Sequence, residues 1–377
     1  MNNPGIFQAT TRIIFGEKSC QNAGEVLQGF QASNAFIITD AGLVKTGIVD
    51  RVREALVSSG IDVQVFDAVE ADPSIETVEA AFGEYRKHKS DCIVAVGGGS
   101  PIDCAKGLGV LVSNPGKLED YFGANKVTEP LPPLIAIPTT VGTGSEVTQY
   151  AVISDLAQNK KKVIGSERIA PRAAILDPEL VASLPLSLVS ATAMDSLTHA
   201  VEAVISVFAS PFTDALGLEA IHQVNNWLPE AMRSPGLLAR ANLLYASTMA
   251  GQAFCYGKTG LVHGMAHPVG SYYHIHHGLA IAILLPYVLM FNLPACEGKL
   301  TRIAAAMGAH PDPEAAIQAV IELNKIAGIP SHLSEVGVTE EHLESMARDA
   351  FESGNAQVVN PRKPSYEEVL VLYRQAL

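Results

Sequence analysis

The feature that most constrains this chain is a change of periodicity near Pro185. Before it, apolar runs of strand length alternate with helical patterns. Residues 35–39 (Ala-Phe-Ile-Ile-Thr) read as a buried strand that ends at Asp40, and residues 61–66 alternate apolar with polar. Residues 92–96 and 134–137 are rich in the side chains of central strands. Between 74 and 88 the apolar residues Ile75, Val78, Phe82 and Tyr85 form a helical stripe. Strands that alternate with helices imply a parallel sheet covered on both faces. After Pro185 long helical stretches dominate, for example 189–208 and 237–254, and strand-like runs are hard to find. The expected fold is an α/β domain over residues 1–184, with a Rossmann-like parallel sheet, followed by an all-α domain over residues 185–377. A chain of 377 residues exceeds what one hydrophobic core usually organises, which agrees with two domains.

Charge narrows the function. Lys and Arg number 26 against 39 Asp and Glu, a formal net charge of −13. So acidic a surface repels phosphate backbones and makes nucleic acid a poor partner, while small neutral substrates are unaffected. The five cysteines are scattered with no C-x-x-C spacing, which fits reduced cysteines in a cytosolic protein. The amino-terminal residues lack the basic and apolar regions of a secretory leader. The longest apolar run, 279–291, contains Pro286 and is too short to span a bilayer. A cytoplasmic protein with no membrane partner is expected.

Two turns suggest a nucleotide. Gly97-Gly98-Gly99-Ser100 follows a strand and opens a helix. The sequence predicts Ser100 as N-cap, Pro101 at the first helical position and Asp103 reaching back as in a capping box. Three glycines let a ligand approach the backbone, and a helix start offers free N–H groups to a pyrophosphate. A tight strand–helix turn without a ligand has the same residues, and the G-x-G-x-x-G fingerprint is absent. The second turn runs from Thr139 and Thr140 through Gly142 and Gly144 to Ser145; its hydroxyls and amides can bind phosphate or ribose, or can cap its own helix. Asp40 can accept hydrogen bonds from ribose hydroxyls while repelling a 2′-phosphate, or can be a plain helix cap.

Histidines suggest a metal. Asp195 and His199, four residues apart in a helical pattern, share one face. Downstream come His263 and His267, then His274, His276 and His277. Six of the 11 histidines fall in these two segments, among Ala, Val, Leu, Met, Gly and Tyr. Imidazoles gathered in apolar surroundings need partners, and a divalent cation is the most economical. A carboxylate with imidazoles suits zinc or ferrous iron, and spacing does not choose between them.

Three segments together, GGGSPIDCAK from Gly97, PTTVGTGSE from Pro138, and Gly260, His263 and His267 followed by His277-Gly278, resemble signatures of the iron-containing (group III) alcohol dehydrogenases, in that family's order. The resemblance covers essentially the whole chain and implies a dehydroquinate synthase-like architecture. It implies a metal held by Asp195, His199, His263 and His277, with Fe(II) expected and Zn(II) the alternative. It implies NAD bound at Asp40, Gly97, Gly98, Gly99, Ser100, Thr139, Thr140 and Lys161, and His267 beside metal and nicotinamide as a proton relay. The implied activity is hydride transfer interconverting a small, primary alcohol and its aldehyde, by a homodimer paired through the 11–15 strand. A zinc-dependent, glycerol-type polyol dehydrogenase of the same fold is the rival reading. Dehydroquinate synthase chemistry would need a basic pocket, and few Lys or Arg stand near the ligands. A non-catalytic nucleotide- or metal-binding protein is the rival from another class.

Overall fold

The computed structural model describes residues 6–158, 160–234 and 236–377; residues 1–5, part of the amino-terminal stretch read above as no leader, lie outside that set. The strands are β1 (Arg12–Phe15), β2 (Asn34–Ile38), β3 (Asp62–Phe66), β4 (Cys92–Gly97), β5 (Gly123–Ala124), β6 (Leu134–Pro138), β7 (Tyr150–Asp155), β8 (Lys160–Gly165) and β9 (Ala173–Leu176). The amino-terminal helices are α1 (Ala23–Gly29), α2 (Ala41–Lys45), α3 (Ile48–Ser58), α4 (Ile75–His88) and α5 (Gly99–Ser113). From Leu186 onward all longer elements are helices: α6 (Leu186–Ile205), α7 (Pro211–Arg233), α8 (Leu237–Gly257), α9 (Leu261–Tyr273), α10 (His277–Ala306), α11 (Pro313–Ile326), α12 (Leu343–Glu352) and α13 (Tyr366–Ala376). The expected α/β architecture followed by helices is the one observed.

Backbone contacts divide the described chain into two units. One comprises Gln8–Thr140 and Gly144–Ser183; the other comprises, among the described residues, 6–7, Val141–Thr143 and Leu184–Leu377. In the first unit, six parallel strands run in the order β1-β9-β6-β4-β2-β3. Registers such as Ile37 opposite Val94 and Val94 opposite Ile135 keep the carboxyl ends of β2, β4 and β6 level. Alternate side chains feed separate cores. Phe36, Ile38, Ile93, Ala95 and Leu134 join Val78, Ile102 and Leu108 on one face, whereas Ile37, Val94, Val96 and Ile135 join Leu27, Val52 and Leu56 on the other. Each such fully buried aliphatic side chain contributes about 1.5–3 kcal/mol. The sequence reading missed a second, three-stranded sheet, β5-β8-β7, in which β7 and β8 pair antiparallel.

In the helical unit α6 is the centre, packed by α7, α8 and α10. Every residue from Val189 to Ile205 is buried, the state of a helix enclosed on all sides. α10 spans 30 residues, far more than the apolar run suggested, and its backbone leaves helical geometry at Cys296. It is long and apolar enough to cross a membrane by length and composition. However, more than half of its most apolar stretch is buried inside the protein, and it packs on α6, α9 and α11, as a core helix does.

Candidate functional site

The helical unit gathers the histidines. α6 supplies Asp195 and His199, α9 supplies His263 and His267, and α10 begins at His277. One donor atom each from Asp195, His263 and His277 lies within 4.8 Å of the others. Asp195 Oδ1 and His263 Nε2 are both buried and have no hydrogen-bond partner, yet stand 3.8 Å apart. That is too far for a hydrogen bond. Two donors each about 2.1 Å from a shared ion stand about 3–4 Å apart, so the gap fits a divalent cation.

His199 is set off from those three. Its ring stacks on His263 at 4.5 Å and on Phe254 of α8 at 4.2 Å between centroids. Its Nδ1 lies 3.3 Å from the Gly142 carbonyl, a bond that leaves Nε2 as the donor available to a metal. Gly142, two residues beyond Thr140 in the chain, belongs to the helical unit. His277 is partly buried, whereas its neighbour His276 is exposed. Close packing sets the position of His277: a Cβ at Gly278 would come within 2.3 Å of the Ala191 carbonyl oxygen on α6. His267, partly exposed, has its ring 5.3 Å from His277 and 6.4 Å from His263.

Burial governs ionisation here. It raises the Asp195 carboxyl well above the usual range, with the Glu202 charge adding to the effect. It lowers His263 to about 3 and His199 well below its ordinary value, for the latter with His263 nearby contributing. Perturbed groups gathered this closely are the pattern found at functional sites. The sequence reading gave Glu202 no role. It stands at the third position of the series 195, 199, 202 along one face of α6, a spacing visible in the sequence. Its carboxylate is buried, accepts Gly260 N at 2.8 Å and Val262 N at 2.7 Å, and lies 2.6 Å from His263 Nδ1. Burial pushes Glu202 up to about 7, those hydrogen bonds pulling the other way.

In the α/β unit, except for Lys161 on β8 of the second sheet, the residues expected to hold a dinucleotide lie at the carboxyl ends of β2, β4 and β6. Chain connections diverge there, with β3 on one side of β2 and β4 on the other, the place where such sheets bind ligands. α5 opens two residues earlier than expected. Gly98 is its N-cap and Gly99 its first residue, so Ser100 and Pro101 lie inside the first turn. Glycine carries no capping side chain and leaves no signal for this start. Ser100 Oγ instead accepts the Asp72 amide at 3.2 Å, and Asp103 bonds Ser145 and Val152 rather than closing a capping box. Gly97 has φ +157° and a Cβ there would lie 2.4 Å from Pro101 Cγ, so only glycine fits. Thr139 N donates to the Gly97 carbonyl at 3.0 Å. Thr39 Oγ1 and Thr140 Oγ1 are buried without partners. Asp40 is the N-cap of α2, its Oδ1 accepting Leu43 N at 2.9 Å. Lys161 pairs with Asp72 at 2.8 Å, while Lys162 points to Gln158.

Two family models cover nearly the whole chain: iron-containing alcohol dehydrogenase over residues 10–178 and its C-terminal domain over residues 189–377. The chain belongs to the iron-containing alcohol dehydrogenase family and is a metal-dependent alcohol oxidoreductase. Among its relatives, the 1,3-propanediol dehydrogenase of Citrobacter freundii is 42% identical, with 96% of each chain covered. The NAD-dependent methanol dehydrogenase of Bacillus methanolicus is 38% identical, with 97% of each covered. The crystal structure of a 1,3-propanediol oxidoreductase superposes over the full length of both chains with TM-score 0.96 and 40% identity. The zinc-dependent polyol reading is not favoured by these relatives.

Proposed function

We propose that this enzyme interconverts a small primary alcohol and its aldehyde with NAD and a divalent metal, Fe(II) before Zn(II). The observation that carries the reading is the convergence of unpartnered, buried Asp195 Oδ1 and His263 Nε2 with His277. We assign the metal to Asp195, His199, His263 and His277. When bound, the metal supplies a Lewis acid toward the alcohol oxygen and NAD the hydride acceptor. The chain supplies the rest. His277 is fixed by the close fit of Gly278 on α6, and His199 by its neighbours Phe254 and Gly142. Phe254 covers the His199 ring and excludes water from that side. His267, partly exposed beside His277, relays a proton between the site and solvent.

The cofactor assignment rests on Gly97, Gly98, Gly99 and Ser100 at the start of α5, where backbone N–H groups meet the pyrophosphate. Thr140 contributes a free hydroxyl with Thr139 beside it, and Asp40 accepts from ribose hydroxyls. Lys161 completes the set beside Asp72. Residues 1–184 form the cofactor domain and 185–377 the metal domain in this reading. The protein works as a cytoplasmic homodimer; β1 at the sheet edge, with Phe15 68% exposed, is suited to pair with a second copy. Alcohol-dependent NADH formation tests the activity: it should vanish on chelation and return with Fe(II). Turnover that persists in metal-free protein would sink the reading.

A further inference from the structure

Glu202 is a buried carboxylate on the central helix of the metal-binding unit, and no step above uses it. Its two oxygens face the start of α9. Gly260 is that helix's N-cap and has no capping side chain of its own, so the first amides need acceptors from elsewhere. Glu202 Oε1 takes Val262 N and Oε2 takes Gly260 N, while Asn360 Oδ1 takes Leu261 N at 3.4 Å. A third contact also falls on Oε2, because His263 Nδ1 lies 2.6 Å from it. A glutamine has one acceptor oxygen for these three N–H groups, so no orientation of it replaces the carboxylate. A carboxylate already receiving two backbone N–H groups offers an imidazole only acceptor lone pairs. Against the ionised carboxylate the ring donates from Nδ1, which leaves Nε2 without the proton. Nε2 is the atom left buried and unpartnered toward Asp195.

We propose that Glu202 is a positioning residue: it holds the His263 proton on Nδ1, reserves Nε2 as a metal donor, and with the same carboxylate docks the start of α9 onto α6. The inference rests on the metal reading above and adds to it. Carboxylates that orient a ligating histidine in this way typically change metal affinity 10–100-fold when altered. Placement on α6 makes the link direct, since the helix carrying Asp195 also carries the group that orients its partner imidazole.

The test is Zn(II) affinity, measured by competition with a chromophoric chelator on wild type, Glu202→Leu and His263→Ala. Glu202→Leu removes the acceptor facing Nδ1, so nothing keeps the ring proton off Nε2. Expected is a loss of about 10–100-fold in Zn(II) affinity, with a lower thermal midpoint of the metal-free protein because Gly260 N and Val262 N lose their acceptors as well. Glu202→Leu binding Zn(II) as tightly as wild type overturns the proposal. Histidine 15N NMR of metal-free wild type separates this role from loss of the cap, and decides should the variant fail to fold, with His263→Ala giving the assignment. A protonated Nδ1 supports the proposal and a protonated Nε2 overturns it. A wild type that binds Zn(II) no better than His263→Ala would overturn the metal reading itself, and is told apart by the wild-type measurement alone.

Discussion

Each unit buries a cluster of charged side chains, and the two clusters are built on opposite principles. In the α/β unit Lys106 is fully enclosed, yet its Nζ donates to Tyr150 O at 2.6 Å, Ser145 Oγ at 2.9 Å and Thr148 Oγ1 at 3.1 Å. Asp103 lies 3.7 Å from that ammonium and accepts from Ser145 and Val152. Burial raises the Asp103 carboxyl, and Lys106 draws it back down. All of its bonding capacity is consumed internally. In the helical unit Asp195 and His263 are buried too, but face each other across 3.8 Å with orphaned atoms. A buried polar group without a partner costs about 1–3 kcal/mol, and two aimed at one point imply that something else completes them. Saturation marks a cluster that holds the fold together. Unpartnered atoms that converge, as on Asp195 and His263, are what the proposed metal reading rests on.

Mutation can break this contrast. The largest effect belongs to His263→Ala, which should abolish metal retention and lower turnover on the order of 10^3-fold or more, with circular dichroism unchanged. Metal analysis of the purified variant is the check; an active variant that keeps its metal dissolves the distinction. Next is Lys106→Met, which strands Asp103 and should cost about 3–5 kcal/mol of stability in urea unfolding while the folded fraction still binds Zn(II) like wild type. If stability held and metal binding fell, the two clusters would have exchanged roles. The smallest change sharpens the comparison with a residue that serves both ends. Asp40→Gly should lower stability by only roughly a few tenths of a kcal/mol, as glycine is a tolerated N-cap. Yet the ratio of kcat/KM for NADP to that for NAD should rise about 10-fold, since one negative charge near the ribose is lost. An unchanged ratio would leave Asp40 as a helix cap and nothing more.

Much of this was legible before any coordinates. The parallel sheet follows from continuous apolar runs at 92–96 and 134–137, because a strand buried on both faces has no polar side to hide. Asp195 and His199 could be placed on one helical face by spacing alone. What stayed hidden had physical causes. Glu202 sits on that same face, but a glutamate in a helix usually faces water, and only tertiary packing reveals that α6 has no outer face. The β7–β8 ribbon was missed because Lys160, Lys161 and Lys162 open a strand with charges that sequence patterns assign to loops. The start of α5 was misplaced by two residues, since the obvious capping serine is not the one the backbone uses. Proximity of His199 to Gly142 joins residues 57 apart in sequence, which no local pattern encodes.

The pairing of His277 with Gly278 has a consequence for how the motif should be understood. A methyl group at 278 would drive into the Ala191 carbonyl, and the strain would be relieved by tilting the first turn of α10 outward. The imidazole rides on that turn, so it would swing away even though its own chemistry is intact. Gly278 acts as a spacer of zero thickness: it fixes the distance between two helices, and through that distance the reach of the neighbouring ligand. Sequences that keep the histidine but gain a side chain after it should be read as having a dislocated donor.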